Sequence, residues 1–382
     1  MANTYRMNAL DQALVSTGSR AYAAYGTSSD ANVRYLTSFR TSDPVIYLKR
    51  LNEEGLIVVP AMEVERAALE SPCTVISRAD AGFFDILKEE PDPLKATGRM
   101  IADLAGGSIL VPPEFPFGLA QAISSHQPIQ LDLDTLSAMR SQKTLSEIGM
   151  MRESQAAAED ALETALALIR RAKPTGELLV TPEGTILTSE DVRYAIHATL
   201  LRHGCRGVDT IVASGDETSV VHLRGTGSLA ANAPIIIDIF PQNEETGYFA
   251  DMTRTVVRGE ASPEIREMYA VVSDAKTLAF SLLRSGADGS ALYRAVVSLF
   301  EDAGYGTEPD GFVHSLGHGV GIEVHEAPSL STRGGPLAAG NVVTIEPGLY
   351  YPGIGGVRIE DMALVTDGGY ERITRFPEVF CI

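Results

Sequence analysis

The chain has 382 residues, 45% hydrophobic and 21% charged, which allows a substantial core and suggests two domains. A formal net charge of −19 with no basic run argues against nucleic acid, whose binding needs clustered Lys and Arg. No apolar run approaches the roughly 20 residues of a membrane span, and the N-terminal MANTYRMNALDQALV does not read as a signal peptide, so a cytoplasmic protein without a membrane partner is the simplest account.

Up to about residue 140, short apolar runs alternate with helix-like stretches. The runs at 21–26, 45–50, 55–60, 74–78, 108–112 and 129–132 read as strands of an α/β domain. Thr144 followed by Glu147 is a capping box that opens a long helix, with Leu145, Ile148, Met151, Leu162, Leu166 and Ile169 at helical spacing. The boundary falls just before it, giving domains 1–142 and 143–382. A Gly/Pro-punctuated insertion, KPTGELLVTPEGTILTSED, leads to a second helix around Val192, Ile196 and Leu200, stopped by Gly204. Ser262-Pro263 starts a third helix that Gly286 ends, and a fourth runs around Leu292 to Phe300. Strands are expected at 234–240, 249–258, 342–346 and 357–366, so the second domain reads as α+β. The cysteines Cys73, Cys205 and Cys381 are far apart and read as buried free thiols.

Acidic residues seldom interrupt apolar strands unless their charge is compensated. Here Asp238 lies in PIIIDIF, Asp251 opens DMTRTVV, Glu346 ends VVTIE and Glu360 sits in VRIED. One such residue alone reads as a paired core carboxylate. Four together, with the histidine-rich loop HSLGHGVGIEVHEAPSL, point to a shared cause, and two divalent cations would balance the four negative charges. A neutral imidazole at His318 completes a mixed shell that suits manganese, cobalt, iron or zinc better than calcium. Gly317, Gly319 and Gly321 would let backbone approach the metals closely. His314, His325 and His222 are further candidates; the first two, taken alone, also read as satisfied, partly buried histidines, and His222 alone says little. The G-x-G-x-x-A at 225–230 is a weak nucleotide signal without a following amphipathic helix and is rejected.

The motifs IIIDIF, GYFADMTRT, HSLGHGVGIEVHEAP, TIEPGLYY and GVRIEDM, in this order, resemble the pita-bread metallopeptidases, the group of methionine aminopeptidase, aminopeptidase P and prolidase. DANVRYLTSF, PVIYL and EGLIVVPAMEVERA resemble the creatinase-type N-terminal domain of the proline-directed members. The resemblance implies a creatinase-like α/β domain at 1–142, a pita-bread α+β catalytic domain at 143–382, and a homodimer. It implies metal ligation by Asp238, Asp251, His318, Glu346 and Glu360, with Asp251 and Glu360 bridging two ions, manganese or cobalt first, zinc or iron next. His222, His325 and Glu346 would act in catalysis, and His314 and Arg358 would bind substrate. The activity implied is hydrolysis of the bond between an N-terminal residue and proline by metal-activated hydroxide, as Xaa-Pro dipeptidase or aminopeptidase. Other readings are a small-molecule C–N hydrolase or lyase on the same fold, or a non-catalytic peptide-binding module. Two departures stand out. The Asp238–Asp251 spacing is two residues longer than usual, through PQNEETG, which reads as a longer turn. An Arg that follows H-E-x-P in some prolidases is Ser329 here.

Overall fold

The structure is a computed structural model that describes residues 2–382, with side chains from residue 9 onward. It divides into two compact units, Met1–Arg140 and Ser141–Ile382. In the first, the expected apolar runs form β1 (Ala21–Gly26), β2 (Val45–Arg50), β3 (Leu56–Val59), β4 (Thr74–Ser77), β5 (Ile109–Val111) and β6 (Ile129–Leu131). They make one mixed sheet in the order β4-β3-β2-β1-β5-β6. Ala21, Ala23, Ile46, Leu48 and Val58 of this sheet are buried with Met100, Ile101 and Ala105 of the helix Pro93–Ala105. That helix starts where Asp92 accepts hydrogen bonds from the amides of Leu94 and Lys95, with Pro93 in the first turn.

The second unit opens with the helix Leu145–Arg171. The Thr144 hydroxyl accepts from the Glu147 amide, and the Glu147 carboxylate accepts from the Thr144 amide, so the capping box reads directly from the sequence. The insertion that follows folds into a hairpin, β7 (Lys173–Thr175) and β8 (Leu178–Val180), turning at Gly176 with φ +62. The helix Ser189–Arg202 comes next. The remaining strands are β9 (Cys205–Arg206), β10 (Ile211–Ser214), β11 (Pro234–Ile239), β12 (Gln242–Asn243), β13 (Met252–Val257), β14 (Gly317–Gly319), β15 (Glu326–Leu330), β16 (Val342–Ile345), β17 (Gly348–Tyr351), β18 (Gly355–Arg358), β19 (Asp361–Thr366) and β20 (Gly369–Arg372). They form sheets ordered β10-β11-β13 and β15-β14-β16-β19-β20, with pairs β17-β18 and β9-β12. The helices Pro263–Leu282 and Gly289–Asp302 bury Met268, Val272, Phe280, Val296 and Phe300 in one core with Val343, Ile345, Val357 and Ala363.

Four details differ from the sequence reading. The single strand expected at 357–366 is two, β18 and β19, in different sheets. The break falls at Ile359–Glu360, where the Glu360 amide donates to the Thr253 carbonyl at 3.1 Å and its carbonyl accepts from Arg254 at 2.6 Å. The longer spacing after Asp238 is more than a turn, because β12 pairs with β9, Gln242 opposite Arg206. The glycines of the histidine loop serve strand packing: a Cβ on Gly317 would lie 2.1 Å from the Thr344 carbonyl oxygen, and one on Gly319 2.2 Å from that of Ala327. Of the cysteines, all free thiols, only Cys205 is buried, and Cys381, next to the C-terminal residue, is exposed.

Candidate active site

Four pieces of local folding bring the acids together. Asp238 is the penultimate residue of β11, paired with Ile211 on one side and Thr253 on the other. Asp251 immediately precedes β13, and Glu346 immediately follows β16, its amide donating to the Leu316 carbonyl at 2.9 Å. Glu360 occupies the break between β18 and β19. A cavity of about 590 Å³ within the second unit is lined by all nine residues singled out from the sequence: His222, Asp238, Asp251, His314, His318, His325, Glu346, Arg358 and Glu360. That volume lies in the ordinary range for small-molecule sites.

Donor atoms of Asp251, His318 and Glu360 lie within 4.8 Å of one another. The His318 Nε2 is 3.2 Å from Glu346 Oε1 and 3.8 Å from Asp251 Oδ2. Its Nδ1 faces the Gly319 carbonyl at 3.1 Å. A carbonyl only accepts, so Nδ1 carries a proton and Nε2 is the ring atom turned toward the acids. Thr253 Oγ1 donates to Glu360 Oε2 at 2.7 Å. Asp238 Oδ2 accepts from Arg358 Nη2 at 2.7 Å, while Asp238 Oδ1 is buried with no hydrogen-bond partner among the described residues.

The electrostatics are those of a site short of positive charge. Burial, then the neighbouring carboxylates Glu360, Asp238 and Glu346, push the Asp251 carboxyl well above the usual range. Burial and then Glu346 and Asp238 do the same to Glu360. Burial also works to raise Glu346, but the hydrogen bond and charge of His318, with the charge of Arg358, bring it down to about 2. Burial opposes protonation of His318, and the hydrogen bond and charge of Glu346 outweigh it. A protonated imidazole there takes the place of the cation that the acids lack. The orphaned Asp238 oxygen, the crowded carboxyls and the inward Nε2, whose proton a bound cation would replace, together fit divalent cations, with Asp238, Asp251, His318, Glu346 and Glu360 as the donors.

Behind the acids lies a tyrosine that sequence reading missed. Tyr350, in β17 and 2% exposed, receives a hydrogen bond from Arg358 Nη1 at 2.8 Å and meets His314 Nε2 at 2.9 Å. His314 Nδ1 faces the Ser315 carbonyl at 2.8 Å, so it carries the proton. Burial, more than the Arg358 charge, holds His314 in its neutral form, and its Nε2 therefore accepts from the Tyr350 hydroxyl. Burial pushes the Tyr350 phenol up to about 12, so it remains a donor. The result is a directional chain from Arg358 through Tyr350 to His314. Only the first tyrosine of TIEPGLYY hinted at it, and β17 pairing with β18, Gly348 opposite Arg358, is what brings the partners together. Arg254 and Lys276, each 1% exposed, share the Asp361 carboxylate at 2.7 and 2.8 Å and fix the chain beside Glu360. His222 and His325 are exposed at the cavity mouth, His325 with its ring 4.2 Å from that of His318.

Residues 149–367 match metallopeptidase family M24, and residues 6–131 match the creatinase/prolidase N-terminal domain. An uncharacterized peptidase of Staphylococcus aureus (strain bovine RF122 / ET3-1) is 33% identical over 355 residues, covering 90% of this chain and 92% of that one. Another, of strain MSSA476, is 34% identical over 250 residues, and the match spans 66% of its own length, just under two thirds. Among solved structures, an Xaa-Pro dipeptidase from Bacillus anthracis has the same fold over 100% of both chains, with a TM-score of 0.83 at 23% identity. An X-Pro aminopeptidase from Thermotoga maritima is 26% identical, with a TM-score of 0.80 over 96% of this chain and 98% of that one. No helix among the described residues is long and apolar enough to cross a membrane. With a creatinase/prolidase N-terminal domain ahead of its catalytic part, the chain belongs to metallopeptidase family M24.

Proposed function

We propose that the protein is a dinuclear-metal-dependent exopeptidase that hydrolyses the bond between an N-terminal residue and proline. The observation that carries this reading is the crowding of Asp238, Asp251, His318, Glu346 and Glu360 around one cavity, with the Asp238 Oδ1 left without a partner among the described residues. Divalent ions held by these five side chains, with manganese or cobalt preferred to zinc or iron, would supply charge to acidify a water and polarise the peptide carbonyl.

The chain's own groups do the rest. Glu346 takes a proton from the attacking water and returns it to the leaving nitrogen. His325 donates to the carbonyl oxygen as negative charge develops on it, and His222 steadies the scissile nitrogen region from the mouth. Arg358 and His314, joined through Tyr350, set the substrate-facing wall and hold Asp238 by its Oδ2. A proline nitrogen in a peptide has no N–H to offer, so its ring has to be recognised by shape. Val208, Ile211, Val221, Phe240 and Val324 give the cavity an apolar wall for this purpose. A homodimer and a cytoplasmic setting belong to the same proposal.

The test is cleavage of an Xaa-Pro dipeptide and an Xaa-Pro-Xaa tripeptide by manganese-loaded protein, with Asp251→Asn as control. Release of the N-terminal residue from either peptide, absent in the control, supports the reading. Cleavage of neither, with two ions bound, overturns it in favour of a small-molecule hydrolase.

A further inference from the structure

The cavity wall carries two arginines and no lysine among the described residues, and the two are differently placed. Arg358 is 2% exposed, and its guanidinium is committed to Asp238, Tyr350, the Val221 carbonyl and Thr253. Arg224 stands at the mouth with its side chain 54% exposed, facing Asp209 at 3.6 Å, itself 74% exposed. That distance is beyond a hydrogen bond, and so exposed a pair holds its partners weakly. The Arg224 charge therefore remains available to a ligand.

Its backbone, by contrast, is fixed. The Arg224 carbonyl accepts from the Val212 amide at 2.9 Å and from Arg193 Nη1 at 2.7 Å. Arg193 also donates to the Gly225 carbonyl at 2.8 Å. Gly225, at φ +76, packs so closely on β10 that a Cβ would lie 1.9 Å from the Val212 carbonyl oxygen. The same turn carries His222, two residues earlier. An exposed, weakly paired guanidinium thus sits on a well-anchored backbone beside a cavity lined by Asp238, Asp251, Glu346 and Glu360.

With the four acids balanced by divalent ions and Arg358 held by Asp238, Arg224 is the arginine of the described cavity wall left to meet a substrate anion. A dipeptide carries its C-terminal carboxylate immediately beyond the scissile bond and the proline ring. In a longer peptide that position is a neutral amide. We propose that Arg224 is a specificity-determining residue that receives the free C-terminal carboxylate of a dipeptide, exchanging its weak pairing with Asp209 for a charge-assisted hydrogen bond. This rests on the exopeptidase reading above and narrows it to dipeptides.

The experiment compares an Xaa-Pro dipeptide with its C-terminal amide as substrates of metal-loaded wild type, Arg224→Gln and Arg224→Lys. The amide is the internal reference, since a folding defect lowers both rates alike. Wild type is expected to prefer the acid, and Arg224→Gln to lose roughly tenfold of that preference through KM, with Arg224→Lys keeping part of it. A preference unchanged in Arg224→Gln overturns the inference and places carboxylate recognition elsewhere. Equal cleavage of acid and amide by wild type overturns it while leaving the peptidase standing. Cleavage of neither by wild type with two ions bound overturns both.

Discussion

Asp251 and His325 separate holding metal from using it. Asp251 is 4% exposed and sits among three other carboxylates, whereas His325 stands at the mouth. We predict that Asp251→Asn loses bound ions and activity together. His325→Ala should keep its ions and turn over roughly a hundredfold more slowly, the loss typical of one oxyanion donor. Metal analysis beside kcat checks both, and an empty site in His325→Ala would remove His318 as the sole histidine ligand. Tyr350→Phe strips one oxygen from between Arg358 and His314, leaving two buried groups short of a partner. It should cost about 1–3 kcal/mol in denaturant unfolding and lower kcat/KM, and an unchanged kcat/KM would detach the tyrosine from the site. At this scale the sequence was most informative where a residue contradicted its surroundings. An aspartate inside PIIIDIF is conspicuous by itself, but a tyrosine in an apolar strand is unremarkable until its hydroxyl is seen to join two partners brought by other strands.

At the scale of elements, caps and apolar runs are local and were legible. Thr144 with Glu147, and Ser262 before Pro263, begin their helices where the sequence puts them. The interruption at Glu360 was not legible, because it depends on Thr253 and Arg254, more than a hundred residues earlier, claiming the backbone there. The histidine loop is similar: its glycines suggested proximity to metal, yet their neighbours are carbonyl oxygens of β15 and β16 and, for Gly321, the Glu326 carboxylate, which is also paired at 2.6 Å with the buried Lys143. Gly319→Ala should therefore destabilise the protein by about 3 kcal/mol or more, since backbone on β15 has to shift. Thermal unfolding measures this, and a Tm within a degree or two of wild type would refute the packing role.

For the whole molecule, ion binding and folding are linked. Asp251 and Glu360 have folded-state pKa values above their unfolded ones. Their contribution is complete below the unfolded range near pH 4 and is lost as pH rises through the raised values. Chelated protein should accordingly lose Tm as pH rises above the ordinary carboxyl range near 4, and added ions should restore it most at the upper end, by about 2.7 kcal/mol at a hundredfold excess over Kd. Calorimetry with and without chelator checks this, and a chelator-insensitive Tm at pH 8 would contradict it. Two kinds of domain were readable because each strand run of the first unit is short and continuous, and each acid of the second interrupts such a run. How the sheets divide in the second unit was not, since pairings such as β10 with β11 and β9 with β12 join segments whose partners no local pattern specifies.

The most direct measurement of the central claim is a titration of manganese into chelated protein, following proline release from an Xaa-Pro substrate and bound metal on the same samples. Activity should rise from none to a plateau at two ions per chain. A plateau at one ion, or turnover that survives chelation, would contradict a dinuclear centre on Asp238, Asp251, His318, Glu346 and Glu360.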